Sequence, residues 1–92
     1  MEIELIKRCI QEDRRAQELF YKQCYAQFIG TAYRYSNGKE QAVHFFNLGF
    51  VNILLNLKKY NTENPFDYWA KRVLINTILN ELKKERREYE RV

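Results

Sequence analysis

Ninety-two residues make one small domain that buries roughly 60–65% of the surface its unfolded chain exposes, enough for a single modest core. A hydrophobic content of 46% with 15% aromatic residues excludes a disordered chain, and three Gly with one Pro leave few places for turns, which argues for a few long helices. The net charge of +4 is uneven, with seven basic and six acidic residues in 1–57 and nine and six in 58–92, so the surplus that hints at an anionic partner sits in the second part.

Glu2–Ile10 reads as a short amphipathic segment with Ile3, Ile6 and Ile10 on one side and Lys7 and Arg8 on the other. Asp13 is the expected N-cap of a longer helix through about Tyr35. Its expected buried stripe is Ala16, Phe20, Cys24, Phe28 and Ala32, flanked by Leu19 and Tyr35. Cys9 and Cys24 fall within these helical patterns, with no second pair at metal-ligand spacing. They read as buried free thiols in a reducing cytoplasm, with a disulfide left open as the alternative. Ser36-Asn37-Gly38 is the clearest turn, and Asn37 with Glu40 three residues on matches a capping box.

A third helix is expected from about Lys39 to Lys58. Eleven of the seventeen residues from Gln41 to Leu57 are apolar and none is charged, so this helix should be covered on most sides and form the centre of the bundle. The run is too short and too polar to span a bilayer, and no signal peptide is read before the first helix.

Lys58–Asn64 is a polar loop, and Asn64-Pro65 marks the start of the last helix. Asn is a favoured N-cap, Pro suits the first helical position, and Asp67 sets negative charge against the helix N-terminus. Apolar residues recur at Phe66, Trp69, Ala70, Val73, Thr77 and at Leu74, Ile78, Leu82, the spacing of one broad buried face. At that spacing Phe66 and Trp69 belong to the core rather than to a base-stacking platform. The other face carries Tyr68, Lys71, Arg72, Ile75, Asn76, Asn80, Lys83 and Lys84. Lys and Arg neutralise phosphates, Asn pairs a base edge and aromatics stack an unpaired base, which is what a nucleic-acid reader needs. The plainer reading of such a face is solvated surface.

No catalytic constellation stands out. The one histidine, His44, lies on a mostly apolar helix with no nucleophile at a recognisable spacing, and there is no Gly-rich phosphate loop, carboxylate pair or metal-ligand cluster. No enzyme activity, metal or cofactor is expected. The expected fold is all-α, a small, mostly antiparallel bundle of three long helices plus a short N-terminal helix.

The string Phe66-x-x-Trp69-x-x-Arg72-Val73-x-x-Asn76 followed by Leu82-Lys83-Lys84 resembles the DNA-facing helix of bacterial sigma factors of the extracytoplasmic-function group. The usual form there is Ser-Phe-x-x-Trp-Leu-x-x-Ile-x-x-Asn-x-x-x-Asp-x-Leu-Arg. The resemblance runs from about Leu5 to Arg87 and implies that 1–92 is a single region 2 domain. Such a domain binds the RNA polymerase core and captures the promoter minus-ten element on the non-template strand, in the cytoplasm and without catalysis. It implies DNA contacts at Lys58, Lys59, Tyr60, Asn61 and Asn64 in a loop that pockets a flipped base. On the last helix it implies Lys71, Arg72 and Asn76, with the basic tail Lys83, Lys84, Arg86 and Arg87 on the backbone. An anti-sigma factor is a further partner known for the family.

Two departures bear on function. The family's separate region 4 domain, for the minus-thirty-five element, is not in this sequence. The central helix also usually reads Ala-Glu-Asp-Leu-x-Gln-Glu-x-Phe, an acidic and amide surface for the polymerase clamp, whereas this chain has Ala42-Val43-His44-Phe45-Phe46-Asn47-Leu48-Gly49-Phe50. The implied partner-binding residues are Val43, His44, Asn47 and Leu48. The amide survives as Asn47, but Val43, His44 and Leu48 replace the acids, so basic clamp residues lose their charge-assisted partners. The alternative is a sigma-derived interaction module whose central helix, with Val43, Phe46 and Leu48 partly exposed, binds a regulator or another copy of itself.

Overall fold

The computed structural model describes residues 1–91, in which α1 (Ile3–Ile10), α2 (Arg14–Arg34), α3 (Lys39–Leu55) and α4 (Phe66–Glu90) follow one another. A 3-10 turn at Leu57–Lys59 lies between α3 and α4. No strand occurs among the described residues. The fold is all-α, with three long helices and a short first one.

α1 buries Leu5, Ile6 and Cys9, while Ile3 is exposed and Ile10 only partly covered. The expected Ile3–Ile6–Ile10 line is therefore offset, because Leu5 and Cys9, four residues apart, share with Ile6 the side turned inward. Asp13 caps α2 as its sequence position suggests. Its Oδ1 accepts from the Ala16 amide at 3.2 Å, and its Oδ2 pairs with the Arg8 guanidinium at 2.8 Å. The Ala16 amide first, and Arg8 after it, hold this carboxyl below its ordinary value. Ala16, Phe20, Cys24, Phe28 and Ala32 are all buried, as their spacing requires. Both cysteines are free and buried. Burial pushes the Cys24 thiol up to about 12 and also raises Cys9, so both are protonated packing groups.

The turn into α3 differs from the capping box read at Asn37. Gly38, at φ 143, occupies the N-cap position, a conformation open to residues without a Cβ. Gln41 rather than Glu40 reaches back, its Oε1 accepting from the Asn37 amide at 2.7 Å. At the other end α3 stops at Leu55, short of Lys58. The Asn56 side chain donates to the Asn52 carbonyl at 2.8 Å, and the Lys59 amide donates to the Asn56 carbonyl at 2.9 Å. These bonds tighten the chain into the 3-10 turn that buries Leu57.

α2 and α3 run antiparallel, with Phe20 against Phe50 (ring centroids 5.6 Å apart) and Tyr25 against Phe46 (5.3 Å). Phe66, at the start of α4, meets Phe20 edge-on at 5.7 Å, so one ring joins three helices. Phe20, Phe45 and Phe46 are fully buried, and each such side chain contributes about 1.5–3 kcal/mol. α4 lies tight against α3 at Gly49, where a Cβ would run into Leu74 Cδ1 and lie 3.3 Å from Leu74 Cα. Beside this contact Asn52 Nδ2 donates to Thr77 Oγ1 at 2.9 Å, and that hydroxyl donates to the Val73 carbonyl at 2.8 Å. α4 buries Phe66, Ala70, Leu74 and Ile78. No α4 residue beyond Ile78 is fully buried, although Leu82 still packs against the core from its edge.

Candidate nucleic-acid interface

The loop before α4 is built around one aromatic. Tyr60 is half-buried; of the other residues of Lys58–Asn64, all are exposed. Its ring lies 5.6 Å from Phe66, edge-on, and 5.1 Å from Trp69. Its hydroxyl donates to the Asn64 carbonyl. Asn61 Oδ1 accepts from the Glu63 amide at 3.0 Å, the side-chain-to-backbone bond by which Asn shapes turns. Tyr60 and the Asn61 oxygen thus hold the loop, while Lys58, Lys59 and the Asn64 side chain lie on its exposed surface.

Asn64 is not the N-cap of α4. Its carbonyl is taken by Tyr60, and Pro65 at φ −60, ψ 128 is the last extended residue, its own carbonyl accepting from the Trp69 amide at 3.3 Å. Asp67 does lie in the first turn. Phe66 is buried and Trp69 half-buried, which places both with the core.

On α4, at 3.6 residues per turn, Arg72, Asn76, Lys83, Arg86 and Arg87 fall on one side, joined by Leu79 and Asn80. A shallow groove there is lined by Asn76, Leu79, Asn80, Leu82, Lys83 and Arg86, and Arg87 with Glu90 extends it. Glu90 pairs with Arg86 at 3.1 Å, both well exposed, an arrangement worth little in water. Glu81, Glu85 and Glu88 fall on the opposite side, so from Arg72 to Arg87 this stripe carries no carboxylate. Among the described residues neither the Asn76 nor the Asn80 amide has a protein hydrogen-bond partner, unlike Asn47, Asn52, Asn56 and Asn61. Asn80 was legible as a face residue; its place in the groove beside Asn76 follows from the four-residue spacing.

Two cations lie off the stripe. Lys71 borders a cleft with Gln27, Thr31, Asp67 and Tyr68, between α2 and the start of α4. Lys84 sits three residues from Glu81 and four from Glu88, among acids rather than among the other bases.

On α3, His44 and Asn47 are exposed and Val43 and Leu48 half-buried. The Tyr21 hydroxyl donates to Asn47 Oδ1 at 2.6 Å, so α2 already holds the amide oxygen. Desolvation by burial, and Tyr25 after it, raises the Tyr21 phenol above its ordinary value. Phe46, expected partly exposed, is fully buried, its ring edge-on to Tyr21 and Tyr25. The apolar row at the surface runs instead from half-buried Leu48 to exposed Val51 and Leu55. That row has i, i+3, i+7 spacing, but it stands out as the outer one only because Ala42, Phe45, Phe46, Gly49, Phe50 and Ile53 fill the inward side.

Among the described residues no cluster of His, Cys, Asp and Glu could hold a metal ion, and no helix is long and apolar enough to cross a membrane. Neither the curated proteins nor the solved structures give a match to the chain. The family model for Sigma-70 region 2 matches residues 20–88, a span that takes in α2 from Phe20 onward, the whole of α3 and the loop, and α4 through the basic stripe. The chain belongs to the Sigma-70 region 2 family.

Proposed function

We propose that this domain captures the promoter minus-ten element as a single non-template strand and associates with the RNA polymerase core, as a sigma factor of the extracytoplasmic-function group. The observation that supports this most is the stripe of α4 that carries Asn and basic residues and no carboxylate from Arg72 to Arg87, in a chain of this family. Arg72, Lys83, Arg86 and Arg87 supply phosphate grip, and Asn76 offers a donor and an acceptor to a base edge. Lys58, Lys59 and Asn64 present the loop surface to the strand, with Tyr60 and Asn61 setting its shape. Lys71 and Lys84 act at longer range, as part of the positive field. The polymerase side is α3 at Val43, His44, Asn47 and Leu48, where the docking surface is largely uncharged.

The test is binding of a labelled single strand carrying a minus-ten element, across a salt series. Replacing Arg72, Lys83, Arg86 and Arg87 together by Ala should lower affinity and flatten the dependence on salt. The log–log slope should fall by about 0.7 for each phosphate that the variant no longer neutralises. Unchanged affinity and slope in that variant, with the helical content intact, would remove this face from the reading.

A further inference from the structure

The exposed side of α3 carries a feature that DNA capture does not use. Leu48, Val51 and Leu55 line up there at the spacing of a helix–helix seam, with Val51 52% and Leu55 73% exposed. Single exposed apolar residues are ordinary, whereas an aligned row marks a contact surface. No residue from Gln41 to Leu57 is charged. Charge returns at the two ends of the row. Glu40, with Lys39, borders His44 at one end. Lys58, with Glu12, borders Leu55 at the other.

We propose that a second copy of this chain docks on this row, α3 against α3, as an antiparallel two-fold pair. In such a pair residue i meets j while j meets i. With the axis between Leu48 and Val51, each Leu48 meets Val51 of the other copy, and each Leu55 lies over His44 of the other copy. Glu40 lies roughly 14 Å along α3 from that axis at 1.5 Å per residue, and Lys58, in the 3-10 turn just past the other end of the helix, borders Leu55. Each Glu40 therefore meets Lys58 of the other copy, and Lys39 is brought toward Glu12 in the same sense. A basic partner helix would find no carboxylate along the row, and an acidic one no base. A copy of the same chain offers opposite charges at both ends and apolar groups between them. One helix pair falls below the roughly 1,200–2,000 Å² of a standard interface, so the pairing is reversible and follows concentration. It covers His44 and Leu48, so a paired copy does not present this side of α3 to any other protein.

Sedimentation velocity of the full chain over a wide concentration series tests this. The unmodified chain should pass from monomer to dimer as concentration rises. The double variant Val51→Asp with Leu55→Asp should stay monomeric, with helical content and single-strand affinity unchanged because both side chains already face water. Glu40→Lys or Lys58→Glu alone should weaken pairing roughly three- to tenfold, and the two combined in one chain should restore it. Three results would overturn the proposal: a monomer throughout the series, a dimer that survives the two aspartates, or a double charge reversal no stronger than either single change.

Discussion

The loop at Lys58–Asn64 and the α4 stripe from Arg72 to Arg87 both bring Asn and basic residues to one surface, but their polar groups are engaged differently. In the loop the Tyr60 hydroxyl and the Asn61 oxygen are bonded to nearby backbone, and the Tyr60 ring is packed on Phe66 and Trp69. On the stripe the Asn76 and Asn80 amides have no protein partner among the described residues and line an open groove. A group already bonded to its own chain shapes a surface, and an unengaged one is available to a ligand. The loop should therefore be sensitive in stability and the stripe in binding.

The largest effect should come from the support under the loop. Phe66→Ala removes a buried ring that touches Phe20, Tyr60 and Trp69, and denaturant unfolding should show a loss of about 3–5 kcal/mol. Tyr60→Phe keeps the ring and deletes only the hydroxyl bond to Asn64, so the same measurement should show about 0.5–1.5 kcal/mol. At the small end, Asn76→Ala with Asn80→Ala should leave stability within about 0.5 kcal/mol, as surface changes without partners do. If that pair of changes proved as costly as Phe66→Ala, the two regions would not differ in the way described.

What the sequence disclosed follows the same division. The α2 stripe and the Asp13 cap are local, set by residues three and four apart, and both are found where the spacing puts them. The caps read at Asn37 and Asn64 failed because their competitors act through side chains. Gln41 reaches Asn37 from the next helix, and Tyr60 takes the Asn64 carbonyl. In α3, apolar on most sides, spacing alone did not say which side faces out. Tyr21 and Tyr25 cover Phe46 and leave Val51 and Leu55 in water, a choice made by tertiary packing. On α4 the basic residues were legible as a set, but their division was not. Over some four turns the helix carries Lys71 and Lys84 away from Arg72, Lys83, Arg86 and Arg87.

The most direct measurement is a nuclear magnetic resonance titration of the isotope-labelled chain with a single-stranded minus-ten oligonucleotide. DNA capture on α4 predicts that the side-chain amide signals of Asn76 and Asn80, and backbone signals from Arg72 to Arg87, shift progressively. Signals of Val51 and Leu55 on α3 should hold still. Shifts confined to Asn61–Asn64, or to α3, with the α4 signals unmoved at saturation, would contradict it.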